Sequence, residues 1–289
     1  MGGHAVADAL QSAVTAITAA GCETPRLDAE VLLADVLDVP RERLFIDRDL
    51  IVQGPAVRAF QTAVRRRAVG REPVAYITGR RGFRHIELAS DRRALVPRPE
   101  TELLVELALA LPHGASVLDL GTGCGAVALA LKHERPDLLL TGSDISADAL
   151  ALAEANAERL GLSVRWVRAD LLDGLPEAFD AVLSNPPYVA EPERVALAPE
   201  ILRHEPPQAL FAGPEGLDVI RPLFDQLSGR PRVRFAAIEV GAGQAGAVAE
   251  LARAAGFSLT SSEPDLAGIE RVVVASRPGE PGSSDGRRA

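Results

Sequence analysis

Ser116-Val117-Leu118-Asp119-Leu120-Gly121-Thr122-Gly123-Cys124-Gly125-Ala126-Val127-Ala128-Leu129-Ala130-Leu131 reads as a short apolar strand, a glycine-rich turn and a strongly helix-forming run. Glycines tolerate positive φ and let a ligand approach the main chain, and the helix that follows opens with free N–H groups. The loop is G-x-G-x-G, one residue tighter than the G-x-G-x-x-G of dinucleotide folds, which weakens a pyrophosphate reading. Outward from it, Leu138-Leu139-Leu140-Thr141-Gly142-Ser143 is a second strand, ending in Asp144. That carboxylate lies nineteen residues beyond Gly125, where an acidic residue takes both ribose hydroxyls. A third strand end, Val167-Arg168-Ala169-Asp170, is also acidic, with Leu171 and Leu172 available to flank an adenine ring.

A fourth apolar run, Ala181-Val182-Leu183, leads into Asn185-Pro186-Pro187-Tyr188. The Asn185 side chain offers a carbonyl acceptor, and the two prolines remove backbone donors and fix the local φ. Two acceptors side by side suit a flat NH₂ group with both hydrogens to give, and Tyr188 can lie against the face of such a group. Alone, the tetrapeptide reads equally as a proline-rich surface turn. The three strand ends carrying Gly, Asp and Asp break the tie.

Helices and apolar strands alternate from Pro99 to about Ser276, which predicts an α/β fold, a doubly wound Rossmann-like sheet with helices on both faces. Ligands of such sheets sit beyond the carboxyl ends of the strands, so all four marked ends face one cleft. A glycine loop, a ribose-binding Asp and an adenine-edge Asp without a phosphate clamp best match S-adenosylmethionine. Methyl transfer from its sulfonium is an in-line displacement, and the protein's part is positioning and desolvation. An amide nitrogen is a poor nucleophile; two acceptors on its hydrogens draw electron density toward it and hold its lone pair on the methyl axis. Asn185 and the Pro186 carbonyl are the expected catalytic pair.

Composition agrees with a soluble enzyme. The chain has 289 residues, 47% of them hydrophobic, enough for one large or two moderate domains with a full core. A net charge of −9 argues against duplex nucleic acid as the main ligand. Cys22 and Cys124 stand in unrelated contexts, so neither a disulfide nor a zinc site is expected and no metal is assigned. No signal-peptide pattern and no membrane-spanning run is read, and the expected location is the cytoplasm.

Residues 1–72 read as a small helical bundle. Val6, Leu10, Val14 and Ile17 form one face, and Ala29, Leu32, Leu33 and Val36 a second. Residues 73–98 read as a connecting β-hairpin, with short strands at Val74–Gly79, Phe83–Leu88 and Ala94–Val96. Residues 99–276 form the methyltransferase domain, and 277–289 a disordered tail.

The chain resembles the peptide-chain release factor glutamine methyltransferases along nearly its whole length. The glycine loop and NPPY place only the superfamily. More specific are Arg71-Glu72-Pro73-Val74-Ala75-Tyr76-Ile77-Thr78-Gly79, Leu95-Val96-Pro97-Arg98-Pro99-Glu100-Thr101-Glu102 and His204-Glu205-Pro206-Pro207-Gln208-Ala209-Leu210 with Gly216-Leu217. Ile238-Glu239-Val240-Gly241 with Gln244, and Asp265-Leu266-Ala267-Gly268-Ile269-Glu270-Arg271, resemble the family's closing strands.

The resemblance implies a substrate, the glutamine of the Gly-Gly-Gln tip of bacterial class I release factors. It implies that Gly121, Thr122, Gly123, Cys124, Gly125, Asp144, Asp170, Leu171, Asn185 and Arg98 contact S-adenosylmethionine. Asn185, Pro186, Pro187 and Tyr188 would hold the glutamine, and the helical domain would grip the release factor body. A monomer suffices, and no nucleic-acid substrate is expected. The alternative is methylation of an adenine or guanine amino group, which presents the same planar NH₂ to NPPY. Two departures from the family stand out: Ser228-Gly229-Arg230 replaces a Gly-Gly pair, and Leu171 replaces an aromatic.

Other residues have plainer readings. Eleven arginines between Arg58 and Arg98 face only Glu72, Glu87 and Asp91, a run that reads as a solvated face ahead of a partner-binding one. Asp119 reads as an organiser of the glycine loop, His204 as structural, and Glu239 as undecided between structure and function.

Overall fold

The structure, a computed structural model, describes residues 4–47, 51–175 and 179–278. The chain forms two compact units. One takes the described residues up to Arg81, with Ser90–Arg92 and Ala196–Glu205; the other takes Gly82–Ala89, Arg93–Val195 and the described residues from Pro206 onward.

The first unit is helical. In chain order it contains β1 (His4–Ala5), α1 (Val6–Ala19), α2 (Pro25–Leu37), α3 (Arg43–Ile46), β2 (Ile51–Val52), α4 (Pro55–Ala68) and α5 (Val74–Thr78). On α1 Val6, Ala13 and Ile17 are buried while Leu10 and Val14 are half-buried, and the helix stops before Gly21, whose φ is +70°. Pro25 opens α2, where its missing N–H leaves nothing unsatisfied. Ala29, Leu32 and Leu33 then meet Ile17, Leu44, Phe60 and Ala63 in one apolar cluster. Val74–Thr78 is a correction: it is a helical turn, not a strand. Five residues are too few to show a period, and the Pro73 carbonyl accepts from the N–H of Tyr76 and of Ile77.

The hairpin falls instead on β3 (Arg80–Phe83) and β4 (Ile86–Ala89). Ala94–Val96 is not a strand either; Ala94 and Val96 are buried as irregular chain. There follow α6 (Glu102–Ala108), β5 (Ser116–Leu120), α7 (Ala126–Glu134), β6 (Leu139–Asp144), α8 (Ala147–Leu160), β7 (Arg165–Arg168) and β8 (Ala181–Ser184). The last elements are α9 (Pro199–His204), which belongs to the helical unit, α10 (Ile220–Ser228), β9 (Phe235–Glu239), α11 (Ala245–Ala254), β10 (Leu259–Pro264) and β11 (Glu270–Ser276).

Seven strands form one sheet in the order β10-β11-β9-β8-β5-β6-β7. The five from β9 to β7 run parallel, and β11 and β10 close the edge antiparallel. This is the doubly wound sheet that the alternating pattern predicts. Its order reverses between β5 and β8, which is where ligands enter such sheets. Val117 belongs to the apolar layer under α6 and α7, and Leu118 and Leu120 to the opposite layer with Ile220, Leu223 and Phe224 of α10. At Gly142 on β6 a Cβ would lie 2.2 Å from the Trp166 ring, so only glycine lets that indole cover the strand.

The tail expected over 277–289 lies outside the described residues from 279 onward. Arg277 is no part of a loose tail. Its guanidinium donates to the carbonyls of Arg230, Val233, Leu227 and Ala255 and lies 4.1 Å from the Phe257 ring centroid.

The arginine run is largely paired. Arg66 grips Glu72 through two hydrogen bonds, Arg80 meets Asp35, Arg92 lies 3.8 Å from Glu72, and Arg84 reaches Glu134 and Glu106. Apart from Glu72, the acids that neutralise it come from distant sequence, so a window count overstates its charge. The most buried group lies within the helical unit. Arg67 Nε donates to Asp28 at 2.6 Å, and its Nη2 donates to Glu200 of α9 at 2.9 Å. Arg71 adds two more bonds to Glu200 and one to the Ala20 carbonyl. Removing one member of such a group leaves buried charge uncompensated, which costs about 3–5 kcal/mol. Glu200→Ala is therefore expected to lower unfolding stability by about 3 kcal/mol in urea titration, while Glu191→Ala, an exposed pair with Arg194, changes it little.

Candidate active site

Parallel register brings the marked residues together. Ser143 lies opposite Leu120, Leu120 opposite Ser184, and Ser184 opposite Ile238. The next residues along those strands, Asp144, Gly121, Asn185 and Glu239, therefore form a row across the carboxyl end of the sheet. A cavity of about 310 Å³ opens beside it, near the lower end of the ~300–1,000 Å³ range of small-molecule sites. Its walls include Arg98, Gly121, Thr122, Gly123, Cys124, Asp144, Asp170, Leu171, Asn185, Pro186 and Pro187. Gly125 and Tyr188 are not among the lining residues.

The glycine loop turns through φ values of +70°, +57° and +86° at Gly121, Gly123 and Gly125. Gly125 serves packing: a Cβ there would come within 3.0–3.2 Å of Leu129, Trp166 and Ala153. Asp119, at 2% exposure, anchors the loop from below. Its Oδ2 accepts from Thr122 Oγ1 at 2.6 Å and from the Ala128 N–H at 3.1 Å, so one carboxylate oxygen holds both the turn and an otherwise unpaired donor in the first turn of α7. Burial pushes the Asp119 carboxyl up to about 6, and the two hydrogen bonds oppose that rise.

Asp144 accepts the Gly123 N–H on Oδ2 and the Ser146 N–H on Oδ1, each at 2.9 Å. The Ile145 N–H is a third backbone donor to this carboxylate, which has about four acceptor sites in all. Burial raises its pKa above the ordinary aspartate value. Leu171 has φ +51°, an uncommon conformation for leucine, and lines the cavity; Leu172 is instead 1% exposed in the apolar layer and lines no part of it. The Leu172 N–H donates to Gln226, and its carbonyl accepts from Arg230. Arg230, in the segment that departs from the family's Gly-Gly pair, thus steadies the loop carrying Asp170 and Leu171.

Asn185 Nδ2 donates to Thr101 Oγ1 at 3.0 Å, which leaves Oδ1 as an acceptor without a partner among the described residues. Thr101 is also hydrogen-bonded to Glu239, and the Tyr188 hydroxyl lies 3.4 Å from Glu239 Oε1. Burial pushes Glu239 up to about 7 against these two bonds, with Glu100 adding repulsion and Arg271 attraction. Burial raises the Tyr188 hydroxyl as well. Tyr188 packs beside the apolar layer of α10, and its backbone carbonyl accepts from Gln244 Nε2 at 3.0 Å. Gly216, at φ +71°, passes so close that a Cβ would sit 2.1 Å from that carbonyl.

The family model described as Methyltransferase small domain matches residues 99–215, and the one described as PrmC N-terminal domain matches residues 8–79. The release factor glutamine methyltransferase of Cereibacter sphaeroides is 42% identical over 94% of this chain and 98% of its own length. The enzyme of the same name from Deinococcus radiodurans is 41% identical over 94% of this chain and 98% of its own. This chain belongs to the release factor glutamine methyltransferase family. Among solved structures, the hMettl16 catalytic domain in complex with MAT2A 3'UTR hairpin 6 superposes with a TM-score of 0.56 at 15% identity, covering 79% of this chain and 84% of that one, and shares the fold.

Three residues of this methyltransferase were out of reach of sequence reasoning as site elements. In the sequence Thr101 is only part of the family-like segment 95–102, yet it holds Asn185. Gln244 was likewise only a matching letter, and it clamps Tyr188. Asn156, fully buried on α8, ties Ala89 to the Cys124 carbonyl and carries no local signal at all. His204 has the structural role expected of it: Nε2 meets the Gly70 carbonyl at 2.8 Å and Nδ1 faces Arg92, all within the helical unit. No helix among the described residues is long and apolar enough to cross a membrane.

The Asp119 shift has a definite sign. The folded enzyme holds a proton between the ordinary aspartate value of 3.8 and about 6 that the unfolded chain releases. Stability is then highest below that window and falls as pH rises through it, by at most about 3 kcal/mol. Urea midpoints measured from pH 4 to 7 are expected to fall for the native enzyme and to lose the lower part of that fall in Asp119→Asn.

Proposed function

We propose that this enzyme methylates the side-chain amide nitrogen of the glutamine in the Gly-Gly-Gln motif of bacterial class I release factors, using S-adenosylmethionine. The observation that carries the reading is the Asn185 side chain, fixed by Thr101 so that Oδ1 faces a cleft also lined by Pro186. Near-full-length similarity to enzymes named for this substrate supports the choice of glutamine over other planar amino groups.

Asp144 would take the ribose hydroxyls, with Asp170 and Leu171 beside the adenine and Gly121–Cys124 and Arg98 along the rest. Bound there, S-adenosylmethionine supplies a methyl group already activated by a positive sulfur. The protein's share is to hold the acceptor. Asn185 Oδ1 and the Pro186 carbonyl each accept one hydrogen of the glutamine carboxamide, which draws electron density onto nitrogen and directs its lone pair. Pro186 and Pro187 bring no competing N–H to that edge. A carboxamide nitrogen that gains a methyl group gives up one proton, and the two carbonyls that hold its hydrogens would direct that proton outward to solvent water. The helical unit would hold the body of the release factor, and one chain carries every part needed, so we take the enzyme to act as a monomer in the cytoplasm.

Tritiated methyl transfer into purified release factor tests this. Label is expected in the native factor and absent from its tip Gln→Ala variant and from nucleic acid. Label on nucleic acid would support the amino-base reading instead, and equal label on the tip variant would rule out the tip glutamine as the acceptor. Asn185→Ala is expected to lower kcat by about 100-fold or more, the size of losing an acceptor or donor aimed at the reacting group, with cofactor affinity only moderately weaker; near-normal turnover would remove Asn185 from the mechanism.

A further inference from the structure

The Asn185 carboxamide presents either its oxygen or its NH₂ to the cleft depending on a rotation that leaves the shape of the side chain unchanged. Only the oxygen can receive a substrate NH₂; the reverse rotation sets two donors against each other. Something in the protein must choose, and the choice lies away from the cavity.

Resting on the reading of Asn185 above, we propose that Glu239 and Thr101 are positioning residues: Glu239 accepts the Thr101 hydroxyl hydrogen, Thr101 can then only accept from Asn185 Nδ2, and Asn185 Oδ1 is left facing the substrate. The chemistry is a count of hydrogens. A threonine hydroxyl has one hydrogen to give. While a carboxylate takes it, the partner at 3.0 Å must be a donor, and on Asn185 that is Nδ2. Thr101 is 5% exposed and Glu239 1%, so water does not offer a competing partner. Register makes the arrangement reliable, since Ile238 pairs with Ser184 and their successors are Glu239 and Asn185.

Glu239 carries a second sign of its role. Its Oε2 is buried with no hydrogen-bond partner among the described residues, although a structural carboxylate is ordinarily satisfied at both oxygens. The groups facing it are Thr101 and Glu100 from the turn Pro99–Thr101, Tyr188 from the segment after β8, and Arg271 from β11, which Asp265 also engages. One of these charges repels and one attracts, and burial leaves the carboxyl able to gain a proton near neutrality. Once protonated, Glu239 donates to Thr101, the Thr101 hydrogen turns toward Asn185, and the amide is favoured in the reversed orientation. Turnover should therefore follow ionised Glu239, rising with pH through its titration at about 7.

The test compares methyl transfer to release factor from about pH 5.5 to 8.5 in the native enzyme, Glu239→Gln, Thr101→Val and Thr101→Ser, with cofactor binding by calorimetry as a check on folding. Native kcat is expected to rise through an inflection near pH 7, and Glu239→Gln, which still accepts but does not titrate there, to lose the inflection. Thr101→Val should lose about tenfold or more in kcat, the effect of one misdirected buried hydrogen bond, with cofactor affinity retained. Thr101→Ser should restore most of that loss. An inflection that persists in Glu239→Gln, or Thr101→Val turning over like the native enzyme, overturns the proposal. If Glu239→Gln does not fold, the valine and serine variants decide it. The side-chain NH₂ resonance of Asn185, assigned by its loss in Asn185→Asp, gives an answer without substrate: its shift should titrate near pH 7 in the native enzyme and not in Glu239→Gln. Absence of label from native enzyme at every pH overturns the substrate reading instead, and the resonance still judges the positioning.

Discussion

The register of five parallel strands is the constraint on which the site depends. Asp144, Gly121, Asn185 and Glu239 are separated by as many as 118 positions in the chain, from Gly121 to Glu239, yet they meet because Ser143, Leu120, Ser184 and Ile238 share one hydrogen-bonded row. Side chains alternate along a strand, so a slip of one residue would turn each of these groups to the other face and carry the apolar layers with it. Burial on both faces makes that slip costly. The core under α7 and the core under α10 thus hold the active-site geometry as well as the fold.

The second common element is carboxylate burial at the end of that row. Asp119, Asp144 and Glu239 all have raised pKa values, and in each the largest cause is removal from water. What offsets the burial differs. Asp119 and Asp144 receive backbone N–H groups from the glycine loop, the start of α7 and the approach to α8, donors that helix and loop termini leave unpaired. Glu239 receives, among the described residues, hydroxyls from Thr101 and Tyr188. The two aspartates are therefore fixed parts of a binding loop, whereas the glutamate is held loosely enough in energy to change state.

Much of this was legible in the chain and some was not, for physical reasons. The sheet order, the glycine loop and the acidic strand ends announce themselves through apolar runs bounded by residues of special conformation. Val74–Thr78 misled because a five-residue turn carries no period, and only the Pro73 carbonyl, accepting two N–H groups, decides for helix. The pairing of the arginine run was hidden because most of its partners, Asp28, Asp35, Glu134 and Glu200, are remote in sequence, Glu72 being the exception. Thr101 and Gln244 were invisible as site residues because a single hydroxyl or carboxamide has no pattern. Their meaning comes from what stands opposite once the chain is folded.

Glu200 lies 129 residues beyond Arg71 and 133 beyond Arg67, yet all three belong to the helical unit. That unit is discontinuous in the chain, and its own translation exposes the consequence. At ~5–20 residues per second of synthesis, roughly 6–27 seconds pass between the appearance of the two arginines and that of their shared carboxylate. Through that interval Arg67 has Asp28 as its acidic partner, and α9 is synthesised only after β5, β6, β7 and β8. The amino-terminal bundle of this enzyme is made first and finished late.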